Sequence, residues 1–98
     1  MIPTLEHAIR NRLLVHLAYD PGLRVIEPHA LGHGRDGQTL LRAYQVSGAS
    51  ASHEHTEWKL FRIDRAVSAA HNGVSFSGPR DGYKRGDKAM KLGIIVEL

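Results

Sequence analysis

At 98 residues, with 42% hydrophobic and 23% charged residues, the chain has the length and balance of one small globular domain with a single core. Thirteen basic against ten acidic residues give a net charge of +3, which favours an anionic partner without making a polybasic tail. There is no cysteine, which excludes disulfides and thiolate chemistry and fits a cytoplasmic protein, and no apolar run of membrane-spanning or signal-peptide length.

The first element is helical. Leu5, Ala8, Ile9 and Leu13 recur at helical spacing behind Pro3 and a candidate N-cap, Thr4, which predicts a short amphipathic helix over about 4–14. The period then changes to two. Val15, Leu17 and Tyr19 alternate with His16, Ala18 and Asp20 as a strand, and Asp20-Pro21-Gly22 is a turn signal. Arg24 to Leu31 reads as a second strand in which Pro28, having no N–H to donate, marks an edge or a bulge. Gly32, Gly34, Asp36 and Gly37 predict a hairpin loop before a third strand from Thr39 to Val46. Ser47 to His55 is small and polar, a flexible loop. Glu57 to Ile63 predicts a fourth strand with Trp58, Leu60 and Arg62 on one face and Lys59, Phe61 and Ile63 on the other. One turn follows at Asp64 to Val67. Val74 and Phe76 suit a fifth strand, Gly78 to Gly82 a turn, and Leu92 to Val96 a final strand. Short strands, tight turns and one leading helix add up to a mainly β, strongly bent small barrel, residues 1–98 forming one domain.

Three strands carry arginines beside apolar or aromatic neighbours: Arg24-Val25-Ile26-Glu27-Pro28, Leu40-Leu41-Arg42-Ala43-Tyr44, and Leu60-Phe61-Arg62-Ile63-Asp64-Arg65. Guanidinium groups make paired hydrogen bonds to phosphate, and tyrosines offer a stacking face with a hydroxyl at its rim. A second basic cluster, Arg80, Lys84, Arg85 and Lys88, lies near the end of the chain, in a hairpin-and-strand region over 74–98.

The order helix, strand ending in Tyr19, Arg24-to-Pro28 strand, Ala43-Tyr44 strand and Phe61-Arg62-Ile63-Asp64-Arg65 resembles the WYL domain family over roughly 5–67. The resemblance implies an SH3/Sm-like β-barrel of the kind found in bacterial transcriptional regulators and anti-phage defence controllers, sensing a nucleotide or nucleic acid. The tripeptide that names the family falls at Thr39-Leu40-Leu41, where only the leucine is kept, and the residues before the first strand are too few for the usual winged helix. Tyr19, Arg24, Tyr44, Arg62 and Arg65 match the family's aromatic and basic positions and are the expected ligand-binding set. The competing expectation is that Arg65 pairs with Asp64, Asp20 or Glu27 and that the tyrosines fill the barrel.

Other chemistries have less to stand on. The seven histidines include His53-Glu54-His55 and His29 with His33, but a Ser/Ala loop lacks the rigid, supported ligands of a zinc site, so surface histidines and no metal are expected. Gly82-Tyr83-Lys84-Arg85-Gly86-Asp87-Lys88 lacks the spacing and the hydroxyl of a phosphate loop, although a basic hairpin there suits contact with a nucleic-acid backbone. No Gly-x-Ser-x-Gly elbow is present, and Asp64 between arginines is placed for an ion pair. The expectation is therefore a regulatory binding module with no cofactor and no catalysis, taking a nucleotide or single-stranded nucleic acid in a basic groove. The alternative is a scaffold or dimerisation barrel that binds a partner chain.

Overall fold

A computed structural model describes residues 1–98. It contains one helix, α1 (Ile2–Asn11), and six strands: β1 (Val15–Tyr19), β2 (Gly22–His33), β3 (Thr39–Gly48), β4 (Glu57–Arg62), β5 (Ser68–Ala70) and β6 (Gly93–Glu97). A single 3₁₀ turn, Ile63–Arg65, follows β4. All strand pairs are antiparallel, in the order β4-β3-β2-β1-β5.

The long strand β2 organises the sheet. One of its edges is paired with β3 along most of its length, and the other is shared: β1 pairs with Gly22 to Ile26, and β6 with Ala30 to His33. The register with β3 shifts between Pro28 and Ala30, a bulge at His29 that accommodates a proline with no N–H for the ladder. Of the two roles expected for Pro28, the bulge is realised and the edge is not, because β2 is interior. Gly32 belongs to this strand and not to the hairpin loop. A Cβ there would come within 2.5 Å of the Gly93 carbonyl oxygen, so the glycine lets β6 close against β2.

The core lies on one side of the sheet. Leu5, Ala8 and Ile9 of α1 pack over Val15, Leu17, Ile26, Leu31, Leu41, Ala43, Phe61 and Ile63. Each large apolar side chain so buried contributes about 1.5–3 kcal/mol. On β4 the alternation places Phe61 inside, leaving Trp58 and Leu60 on the opposite face. A smaller cluster of Ala30, Leu40 and Met90 ties the C-terminal segment to the sheet. The helix ends three residues earlier than expected because Leu14 N–H already bonds the Val74 carbonyl as the chain turns into β1.

The last third of the chain departs furthest from expectation. Val74 and Phe76 do not build a strand; a single bridge joins Leu13 to Ser75. The fifth strand is instead Ser68–Ala70, on β1. Residues between Ser77 and Leu92 form a run of turns lying across β2, β3 and β4, and β6 follows. No helix is long and apolar enough to cross a membrane.

Candidate basic aromatic cleft

The expected ligand-binding residues do not meet on one accessible surface. Arg24 is the clearest correction: it is only 4% exposed. Its Nε donates to the Tyr19 carbonyl (3.2 Å) and its Nη2 to the Asp20 carbonyl, while Nη1 lies 3.4 Å from Gln45 Oε1. Its guanidinium carbon also sits 5.1 Å from the Tyr19 ring centroid and 5.4 Å from that of Phe61. Burial lowers its pKa, and the charges of Tyr19 and Asp20 oppose that shift. Arg24 therefore knots the β1–β2 turn to the core and has no edge left for phosphate. Tyr19 belongs to the same knot: its ring meets Phe61 edge-on at 5.0 Å, and its hydroxyl accepts from the Arg62 N–H (3.3 Å).

Arg62 forms an ion pair with Asp64, both nitrogens Nε and Nη2 donating, the shorter contact being 2.8 Å. It is thus Arg62, and not Arg65, that takes Asp64. Arg65 is exposed and joins no ion pair. Tyr44 turns to the face opposite the core, where the Arg80 guanidinium lies 4.0 Å from its ring centroid and Trp58 meets it edge-on at 5.5 Å.

That face carries the candidate site. His29, Tyr44, Trp58, Phe76 and Tyr83 form one aromatic cluster, each ring within 6.0 Å of another. His29 is its buried centre, contrary to the expectation of surface histidines. Its Nδ1 faces the Glu27 carbonyl (2.8 Å), and its Nε2 accepts from the Arg80 N–H (3.1 Å). Both contacts are met by a neutral ring with the proton on Nδ1, and burial lowers its pKa, which keeps it neutral. No three His, Asp or Glu side chains converge as a metal site requires.

Beside the cluster opens a cleft of about 380 Å³, walled by Trp58 and Tyr83 and lined by Arg42, Lys84, Arg85, Asp87 and Lys88. Two side-chain clamps hold its rim to the sheet. Arg80 grips Glu27 through paired hydrogen bonds of 2.8 and 3.0 Å. Arg42 of β3 grips Asp87 at 2.6 and 3.3 Å, and Asp87 also accepts from the Ala89 N–H. The hydrogen bond from Arg42 holds the Asp87 carboxyl below its ordinary pKa. Arg80, expected as part of an open basic patch, is therefore neutralised by Glu27. Arg85 pairs with Glu97 (3.1 Å), whose other oxygen accepts from Gly86 N–H.

The cleft's remaining groups are available. Lys84 and Lys88 are exposed and make no ion pair, and the Trp58 indole N–H finds no acceptor in the chain. Gly82 sits tight against that indole, with φ +91 and a Cβ position 3.3 Å from Trp58 Nε1, so a side chain here would be strained and crowded. Burial raises the Tyr83 pKa, as does the nearby Glu97 carboxylate, so the phenol stays a neutral donor.

Part of this site is legible in the sequence, since Lys84, Arg85 and Lys88 belong to the second basic cluster with Arg80, and Arg42 lies on one of the arginine-bearing strands. The expected ligand-binding set, however, is Tyr19, Arg24, Tyr44, Arg62 and Arg65. Trp58 and Tyr83 were missed as a pair because 24 intervening residues carry no periodic signal that would bring them together. Comparison of the chain with protein-family models, with curated proteins and with solved structures finds no match.

Proposed function

We propose that the protein is a regulatory binding module that takes an anionic ligand with a planar ring, a nucleotide or single-stranded nucleic acid, in the Trp58–Tyr83 cleft. The observation that carries this reading is the meeting of an aromatic wall with Arg42, Lys84, Arg85 and Lys88 around one carboxylate, Asp87. Aromatic faces stack on bases whatever their identity, and the cations neutralise phosphate. The two wall rings are near-parallel, 24° apart, with centroids 6.0 Å apart, so they contact each other and leave no gap for a third ring. A base stacks on their outward side.

Binding suits the cleft better than catalysis. Its one carboxylate is ionised and committed to Arg42, so no free carboxylate stands beside the wall to act as a general base. The regulatory role and an SH3/Sm-like barrel of the WYL type are supported by the order of motifs over 5–67 and by the antiparallel, mainly β sheet.

Trp58 is the only tryptophan, so the cleft contains its own fluorophore. Titration with a short mixed-sequence single-stranded oligonucleotide and with individual nucleotides, at low and moderate salt, is expected to change Trp58 emission. Binding should weaken as salt rises. Replacing both Lys84 and Lys88 with alanine should weaken it by about ten-fold or more. Unchanged emission with every ligand at low salt, with no binding by calorimetry, would remove this reading.

A further inference from the structure

The charge arrangement narrows the ligand class. Six of the thirteen basic side chains are ion-paired: Arg10, Arg42, Lys59, Arg62, Arg80 and Arg85. Arg24 is buried against carbonyl groups. Among the six that remain, Lys84, Lys88 and Lys91 lie within one short stretch, and two of these three line the cleft. Half of the unpaired basic side chains are thus gathered in one stretch, the others being Arg12, Arg35 and Arg65.

The cleft has the volume of a small-molecule site, about 380 Å³, near the lower end of the usual range of roughly 300–1,000 Å³. Around that single ligand-sized space stand four cations and one carboxylate. A nucleic-acid strand brings one negative charge per nucleotide. With Arg42 and Arg85 paired to Asp87 and Glu97, the unpaired charge at this space is that of Lys84 and Lys88. These are two cations beside one ligand-sized volume, whereas a strand spreads its charge along its length. A nucleotide carrying two or three phosphates on one terminus concentrates its charge as the lining does.

The cations also differ in kind. Arg42 is fixed by Asp87, with its Nη1 making no hydrogen bond in the chain, and so presents a set position. Lys84 and Lys88 are long, exposed and unpaired, able to follow a flexible chain of phosphates. The stacked Trp58–Tyr83 ring pair lines the same space.

We infer that the cleft takes a nucleotide bearing a terminal polyphosphate, with its base against the Trp58–Tyr83 wall and its phosphates held by Arg42, Lys84 and Lys88. This rests on the cleft being the binding site proposed above. The same terminus occurs on free nucleoside triphosphates and on the 5′ end of a triphosphorylated RNA, and the test separates these sources.

The experiment is a calorimetric and Trp58-fluorescence titration of the full chain, without divalent metal. Its ligands are nucleoside mono-, di- and triphosphates of each base, inorganic tripolyphosphate, and one short RNA carrying either a 5′-triphosphate or a 5′-hydroxyl. Triphosphates are expected to bind about ten-fold or more tighter than the matching monophosphates. The K84A/K88A variant, with its fold verified by circular dichroism, should lose that preference. Equal gain for the triphosphorylated RNA would assign the site to an RNA end, and gain for free nucleotides alone would assign it to the small molecule; either outcome upholds the inference. Tripolyphosphate binding as tightly as the nucleotides would overturn it by removing the base from recognition. Monophosphates matching triphosphates, or the 5′-hydroxyl RNA binding best, would overturn it while leaving the broader reading intact. Absence of binding by every nucleotide and both RNAs would remove the broader reading as well.

Discussion

A neutral imidazole donates at one ring nitrogen and accepts at the other, and His29 uses both at once. It joins the Glu27 carbonyl to the Arg80 N–H beneath Trp58 and Tyr83. Protonation puts a hydrogen on Nε2, where the Arg80 N–H already points, and adds a buried positive charge near the Arg80 guanidinium. The folded-state pKa lies below the unfolded one, so the unfolded chain binds the proton first as pH falls. The contribution is complete above the ordinary histidine value of 6.5 and is lost as pH drops from there through the lowered folded value. Thermal melting at stepped pH should show this loss on the acid side of neutrality, and His29→Gln should flatten that limb while lowering stability at neutral pH. A variant whose melting temperature follows the wild-type pH dependence would show that His29 does not carry it. This role was not legible in the sequence, because a histidine next to proline in a strand reads like any surface histidine. Arg24 misled for a related reason: its spacing marks an arginine on a strand, but not which way the guanidinium folds. Tyr19 and Asp20 bring carbonyl groups to it across the turn, and no local pattern announces that.

At the level of elements, legibility followed the strength of the periodic signal. Val15–Tyr19 alternates cleanly, and the expected alternation runs only one residue past it, to Asp20; β3 and β4 likewise differ from expectation only at their ends. Ser68–Ala70 is too short and too small to alternate visibly, and it is a strand because β1 offers it an edge. The turns between Ser77 and Leu92 have no period at all, since their position is set by single side chains reaching the sheet. Asp87 is the test of that view. Asp87→Asn keeps the shape but removes the charge that Arg42 grips, at a pair whose Asp87 side chain is only 10% exposed. Amide hydrogen exchange over 86–90 should quicken, while the slow-exchanging amides of β2 and β3 keep their protection. Ligand binding should weaken together with that loop. If exchange there is unchanged, the clamp does not position the cleft.

For the molecule as a whole, the motifs behind the family expectation lie within 5–67, yet the structure does not stop there. Residues after 73 supply β6 as a neighbour of β2, Met90 as part of a buried cluster, and Tyr83 with both lysines of the cleft. With a radius of gyration of 12.1 Å the chain is packed about as tightly as its length permits, so this segment is part of the body. Removing residues 74–98 would expose Ala30, Leu31 and His29, all fully buried in the intact chain. The truncated chain is expected to lose cooperative thermal unfolding by circular dichroism. A sharp transition for it would instead make the first 73 residues a domain in their own right. The mainly β architecture was visible from strand periodicity; its dependence on the last third was not, because long-range pairing leaves no mark in a local window.

The two clamps, Glu27 with Arg80 and Arg42 with Asp87, join positions 53 and 45 residues apart in the chain. Each is a part-buried opposite-charge pair, so losing one member strands the other beside apolar rings. Descent should leave a record of this. Among chains that diverge from this one, substitutions at 27 and 80 should arise together, as should those at 42 and 87, with charge-conserving or charge-swapping pairs outnumbering single changes. Such paired drift would let this cleft be recognised in distant relatives from two pairs of columns, even where the aromatic residues between them have been replaced.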